Sequence, residues 1–236
     1  RGAINFWQPA KGRGYRFNMD SVFLADFARP SAHCVDLGAG CGVVGLLILH
    51  VQKSHKLTMV ERQPQMTSLC RDNLAENGFA HLAEVVEADL RELPTLSAET
   101  VVFNPPYFPA GSGRASPTKG KDEGRFERYG TLSDFIRAAK KIVTPEGTIS
   151  AILRAERLDE ARAIAKEHHL FVRRERLILP REGDVPRNVL IELTKDSFAE
   201  KEVLPHLIIH RGEGRDYTDE VRQIFEEPNS WTRTNS

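Results

Sequence analysis

Between Cys34 and Leu153 the chain alternates short apolar runs, each the length of a buried strand, with longer stretches of helical period. The runs at 34–37, 56–60, 84–88, 100–103 and 148–153 predict strands. The intervening 43–50, 64–77 and 132–143, and 158–168 beyond the last run, predict helices, so the core reads as a parallel α/β sheet. Local signals agree with this division. Pro64 suits a first helical turn and Gly78 a helix stop, with Met66, Leu69, Asn73 and Leu74 near one face. Leu132, Phe135, Ile136 and Ala139 form a buried stripe behind a cap at Thr131 or Ser133, and Pro145 and Gly147 predict a turn into the fifth strand.

Outside the core the pattern changes. Residues 1–19 are aromatic and basic with a strand-like piece at 15–17, after which Asn18 or Asp20 caps a helix over 21–27. The runs at 171–179 and 189–194 predict a closing antiparallel pair. Arg173, Arg174, Arg176, Arg181 and Arg187 there either meet phosphates or make a solvated strand face. A last strand is predicted at 204–209 and a short helix at 218–225. The division expected is an N-terminal appendage or lid at 1–30, a main domain at 31–200 and a C-terminal extension at 201–236.

Acidic or amide residues follow four of the strands: Asp36, Glu61, Asp89 and Asn104. Ligands of open α/β sheets bind outside those carboxyl ends, so four such groups on one edge predict a cofactor pocket. The first of them opens Asp36-Leu-Gly-Ala-Gly-Cys-Gly-Val-Val-Gly45, in which Gly40, Gly42 and Gly45 spell G-x-G-x-x-G between a strand and a helix. Glu61, 21 residues beyond Gly40, suits a ribose diol. At this point NAD and S-adenosylmethionine fit equally.

The stretch Asn104-Pro105-Pro106-Tyr107-Phe108 separates them. Proline restricts the residue before it to extended geometry, so Asn104 and Pro105 are held extended at a strand end. The Asn104 side-chain carbonyl and the Pro105 carbonyl then form two aligned acceptors, which suit one amine, and Tyr107 and Phe108 offer rings to a planar group. That arrangement fits methylation of the exocyclic amine of adenine. It has no natural part in hydride transfer.

Composition narrows the partners. With 33 basic and 33 acidic residues among 236, the chain does not coat nucleic acid through its bulk charge, although a local patch remains open. The aperiodic 105–130 segment supplies one candidate: Arg114, Lys119, Lys121, Arg125 and Arg128 against Asp122, Glu123 and Glu127. So long an irregular stretch reads as a lid or binding loop. Three cysteines without C-x-x-C spacing predict neither a disulfide framework nor a zinc site, and point to a reducing cytoplasm. Cys41 reads as a small side chain tolerated in the turn. No membrane span or leader is predicted, and the start at Arg1 leaves room for residues before it.

Asp36-Leu-Gly-Ala-Gly-Cys-Gly42 together with Asn104-Pro-Pro-Tyr107 resembles the class I, S-adenosylmethionine-dependent amino-methyltransferases. With Gly14-Tyr-Arg-Phe-Asn-Met-Asp-Ser21, Arg125-Phe-Glu127 and Gly214-Arg-Asp-Tyr217-Thr, the chain is similar to the bacterial tRNA adenine methyltransferases that modify the adenine beside the anticodon of a valine tRNA. The resemblance implies a Rossmann-like fold with a seven-stranded, mostly parallel sheet and an antiparallel edge hairpin. It implies that Asp36, Gly38, Gly40 and Gly42 surround the methionine part of S-adenosylmethionine, that Glu61 holds the ribose and that Asp89 accepts from the cofactor's adenine amine. Arg16, Asp20 and Ser21 would close the pocket. Asn104, Pro105, Pro106 and Tyr107 would receive the target base, with Asn104 also near the cofactor, and Phe108, Arg114, Lys119, Lys121 and Arg125 would contact tRNA. The product would be S-adenosylhomocysteine, the location cytoplasmic and no metal needed, with monomer and dimer both open. Protein glutamine and another nucleic-acid amine are the alternative acceptors, and an NAD-dependent dehydrogenase the alternative class.

Overall fold

The computed structural model describes residues 4–8, 18–106 and 130–226. In chain order the elements are α1 (Met19–Phe27), β1 (Ser31–Leu37), α2 (Val43–His50), β2 (Ser54–Glu61), α3 (Pro64–Glu76), β3 (Ala83–Glu87) and β4 (Ala98–Phe103). They continue as α4 (Leu132–Ile142), β5 (Val143–Arg154), α5 (Leu158–Glu167), β6 (Phe171–Leu179), β7 (Asn188–Thr194), β8 (Glu202–Val203), β9 (Leu207–Ile208) and α6 (Asp219–Glu226). The predicted strand at 15–17 lies outside the described residues.

The sheet has the order β3-β2-β1-β4-β5-β7-β6, parallel through β5, with β7 antiparallel to both neighbours. Alternation along the strands divides the core in two. Val35, Leu37, Val101 and Phe103 meet Phe135, Ile136 and Ala139 of α4 and Ala161 and Ala165 of α5. On the opposite face Cys34, Leu57, Met59 and Ile152 meet Phe23 and Leu24 of α1, Leu46 and Ile48 of α2, Cys70 and Leu74 of α3, and Val221 of α6. Residues before 31 and after 200 thus share a core with the strands.

Two expectations are corrected. The sheet holds nine strands among the described residues, not seven, because 202–208 runs beside β6 and pairs with backbone groups an edge would leave open. Leu204 N–H donates to the Glu175 carbonyl at 2.8 Å and Ile209 N–H to the Leu179 carbonyl at 3.0 Å. Second, Pro145 and Gly147 do not form a turn before β5 but lie within it, where the register with β4 shifts between Ala98 and Thr100. A Cβ on Gly147 would sit 2.5 Å from the Glu99 carbonyl, so the closeness of the strands there requires glycine.

Most arginines of the antiparallel region have structural partners. Glu192, fully buried on β7, accepts from Arg29 Nε at 3.0 Å and from Arg174 Nη2 at 2.5 Å, which binds the connection after α1 and β6 to β7. Arg176 pairs with Glu220 of α6, and Arg181 donates to the carbonyls of Gly212, Glu213 and Gly214. These groups are occupied by the fold rather than by phosphate or solvent.

The piece at 4–8 lies along α3. Asn5 N–H donates to Asn77 Oδ1 at 3.0 Å and Trp7 N–H to Asn73 Oδ1 at 2.6 Å, while the two amides return bonds to the Asn5 and Trp7 carbonyls. Ile4 and Phe6 alternate with these and pack on the core.

Candidate active site

The parallel register sets Leu37 level with Phe103 on one side and with Val60 on the other, and Glu61 level with Glu87. The chain therefore leaves four neighbouring strands along one edge, and Gly38, Glu61, Asp89 and Asn104 stand at or just past these exits. A narrow cleft opens there, walled by Gly38, Glu61, Asp89, Leu90, Pro106 and Phe135, with only about 50 Å³ wide enough for water. Phe135 reaches it from α4, tilted against Phe103 with ring centroids 5.4 Å apart.

The glycines of the turn do different work. Gly38, Gly40 and Gly42 have φ of +68°, +59° and +85°, a region that residues with a Cβ resist. A Cβ on Gly38 would meet the Phe135 ring at 3.0 Å, and one on Gly42 or Gly45 would press on Met59. At Gly40 a Cβ would meet nothing within 4 Å. Gly40 is thus bare backbone beside open space, while the other three allow close packing. The amides of Gly38 and Ala39 both donate to the Val60 carbonyl, at 2.8 and 3.0 Å, fixing the turn to β2.

Two buried carboxylates lie beneath the turn. Asp36 Oδ2 accepts from Gly45 N–H at 3.0 Å. Glu61 Oε2 accepts from Gly40 N–H at 2.9 Å and Oε1 from the amides of Arg62 and Gln63 at 2.8 and 2.9 Å. Neither has a basic side chain in ion-pair contact among the described residues. Burial pushes the Asp36 carboxyl up to about 7, opposed by the Gly45 amide and reinforced by the Glu61 charge. Asp89 differs. Arg91 holds it bidentately, at 2.9 and 2.6 Å, with Arg62 at 3.2 Å, and the Arg91 hydrogen bonds bring its carboxyl down to about 2. Its oxygens already accept from both guanidiniums and the Arg91 amide, so a further donor must displace one of them.

Asn104 is half-buried, Pro105 buried and Pro106 part of the cleft wall. Arg16, Tyr107, Phe108, Arg114, Lys119, Lys121 and Arg125 lie outside the described residues. Asp20 and Ser21 are not among the cleft's walls. Asp20 accepts from Asn188 Nδ2 and Asn18 Nδ2, both at 2.9 Å, at the start of β7, and the buried Ser21 hydroxyl has no partner among the described residues. Cys41 is buried and its thiol is pushed up, chiefly by burial, so it is unsuited to nucleophilic attack.

Sequence reasoning did not single out Phe135, Arg62, Arg91 or Asn73 for the site. Phe135 looked like core, which it also is. Asn73 carried a usable signal: it is an amide on the apolar face of a helix, and buried amides there need partners. It donates to the Cys41 carbonyl within the glycine turn at 2.8 Å.

No group of three or more His, Cys, Asp or Glu among the described residues is placed to hold a metal. No helix among them is long and apolar enough to cross a membrane. The fold and the acidic, glycine-lined strand exits define a Rossmann-like class I methyltransferase. The chain belongs to the methyltransferase small domain family, whose model matches residues 20–168.

Two bacterial relatives are each named tRNA1(Val) (adenine(37)-N6)-methyltransferase. That of Bacteroides fragilis is 24% identical over 216 residues, covering 88% of each chain. That of Parabacteroides distasonis is 28% identical over 210 residues, covering 87% of this chain and 86% of the relative. Among solved structures, a protein of Agrobacterium tumefaciens described as a predicted O-methyltransferase superposes with a TM-score of 0.68 at 26% identity, covering 87% of this chain and 95% of that one.

Proposed function

We propose that this chain transfers the methyl group of S-adenosylmethionine to the N6 amine of an adenine in tRNA, at the position beside the anticodon for which its Bacteroides and Parabacteroides relatives are named. One observation carries the reading. The register of β1 with β4 brings the glycine turn and Asn104-Pro105-Pro106 out of adjacent strands at the same level, with Gly38 and Pro106 both lining the cleft, which supports a cofactor site beside an amine-accepting one.

The residues present fit the cofactor. Asp36 and Glu61 are 2% and 6% exposed and lack a basic side-chain partner among the described residues, an arrangement that favours a net cationic ligand. Gly40 leaves open backbone next to them. Glu61 Oε2 accepts from the Gly40 amide and has a lone pair remaining for a ribose hydroxyl. When bound, S-adenosylmethionine supplies an electrophilic methyl on a sulfonium.

The chain's own residues position the acceptor. The lone pair of an adenine amine is delocalised into its ring. Asn104 Oδ1 and the Pro105 carbonyl accept its two hydrogens, favour the pyramidal form and release the lone pair for attack. Proline geometry holds both acceptors in place without a backbone donor at residues 105 and 106 to compete. Positioning and preorganised dipoles do this work, and the amine proton leaves to solvent once the nitrogen becomes cationic. A hydroxyl acceptor would instead need a base at the attacking oxygen. The tRNA reading carries with it a cytoplasmic location.

The test is incubation with a labelled methyl donor and either total tRNA or total protein, followed by digestion. N6-methyladenosine in the tRNA arm is the outcome expected. Label confined to protein glutamine, or to ribose oxygens, would overturn the proposal.

A further inference from the structure

A second concavity lies on the same sheet edge, on the far side of Asn104-Pro105-Pro106 from the glycine turn. It is an open groove of about 640 Å³ whose walls include Arg154, Leu177, Pro180, Val185, Pro186 and Arg187. The register fixes its position. Phe103 is level with Ala151, and β5 runs three residues further, so Arg154 stands where Pro106 continues the line of β4. Arg154 is in turn level with Asn188 of β7, which is level with Ile178 of β6. Strands spaced about 4.8 Å apart therefore carry the groove away from the amine-accepting residues in steps of one strand.

From these observations we infer that the groove binds the unpaired nucleotide next to the target adenine, a proposal that rests on the tRNA reading above. The chemistry of the walls selects that occupant. Leu177, Pro180, Val185 and Pro186 offer an apolar surface, and Val185 is 83% exposed in an otherwise polar connection. Such a surface suits the flat face of an unstacked base, the form in which single-stranded RNA is read. Arg187 is exposed, and its guanidinium has no partner among the described residues, unlike Arg174, Arg176 and Arg181 on the same part of the fold. It is available to a phosphate. Glu156 and Asp184 also line the groove, and carboxylates there accept from base amines while opposing a phosphate-only contact such as a duplex backbone.

The groove is built before any ligand arrives. Arg187 N–H donates to the Ile178 carbonyl at 2.9 Å, and Ala155 N–H to the Arg187 carbonyl at 3.0 Å. Arg181 anchors the start of the connection to the carbonyls of 212–214. Arg154 Nη1 donates to Asn188 Oδ1 at 3.3 Å, and Asn188 Nδ2 to Asp20 at 2.9 Å, so the groove wall and the start of α1 are joined. A preformed pocket beside the reacting base would let the enzyme read sequence context rather than adenine alone.

The experiment uses the full chain, an anticodon stem-loop RNA and two surface variants, Arg187→Ala and Val185→Asp. With Arg187→Ala, KM for RNA should rise roughly tenfold or more, the scale of a lost charged hydrogen bond, while the Tm and the cofactor Kd stay put. Two further RNAs each carry an abasic site, one on each side of the target. One of the two abasic RNAs should be a poorer substrate for the wild-type chain, and Val185→Asp should suffer little further loss on it, because the contact is already gone. An unchanged KM in both variants, or the same abasic loss in wild type and Val185→Asp, would overturn the groove proposal while RNA methylation by the wild type stands. Absence of RNA methylation by the wild type would overturn both readings together.

Discussion

Glu61 accepts the amide hydrogen of Gly40 across the strand exits at 2.9 Å, so the acidic group expected to hold a ribose also holds the turn that faces it. Replacing Glu61 by Ala removes the ribose acceptor and frees the turn. The Kd for S-adenosylmethionine should rise at least tenfold, in line with hydrogen bonds to charged groups of about 1.5–3 kcal/mol. Calorimetric titration checks this, and an unaltered Kd would remove Glu61 from the cofactor site.

Asn104→Ala should separate binding from chemistry. Asn104 stands just past β4 and, in the proposed reaction, accepts from the amine rather than from the cofactor, so the cofactor Kd should stay within about twofold while turnover falls about 10²–10³-fold, the range for removing one preorganised polar contact. Single-turnover kinetics at saturating cofactor measures this. Turnover close to wild type would exclude Asn104 from the reaction.

Asp36 makes stability depend on pH. Its folded carboxyl titrates at about 7 against an ordinary 3.8, so the native state binds the proton more tightly than the unfolded chain. This contribution to stability is fully present below pH 3.8 and is lost as pH rises through 7. At full ionisation the loss is on the order of 4 kcal/mol. Asp36→Asn should therefore raise the Tm at pH 8, with the gain vanishing near pH 4, and should weaken cofactor binding at pH 8. Equal Tm values for variant and wild type at pH 8 would show that the charge is not destabilising there.

Asn73→Ala should loosen two segments at once. It leaves the buried carbonyl of Cys41 without its donor and Trp7 without either bond, and an unsatisfied buried group costs about 1–3 kcal/mol. A lower Tm and faster amide exchange at residues 5 and 7 should appear together. Unchanged exchange at those residues would show that other contacts secure the segment.

The helices and the central strands were legible because their burial is periodic. The predicted stripe Leu132, Phe135, Ile136 and Ala139 is buried, and Thr131 forms the expected cap, accepting from Asp134 N–H at 3.2 Å. The candidate site was legible only where carboxylates sit at strand ends, as with Glu61, which lines the cleft. What sequence did not expose depends on the path of the backbone and on pairs distant along the chain. Arg91 restrains Asp89, but whether two residues so close chelate each other or face apart is decided by the bend after β3. The arginines of β6 looked alike in sequence, and partners on α1, α6 and β7 distinguish them. Gly147 resembled a turn residue because nothing local reports the nearness of Glu99.

The bonding of 4–8 to α3 also sets a phase. Two extended residues advance about 6.6–6.8 Å and four helical residues about 6 Å, so Asn5 and Trp7 keep step with Asn77 and Asn73. Sliding the segment by a single residue would point Ile4 and Phe6 outward and bring polar Asn5 against the apolar surface. An insertion or deletion of one residue here would thus be felt as inversion of a whole ribbon, whereas a change of two residues would keep its sidedness.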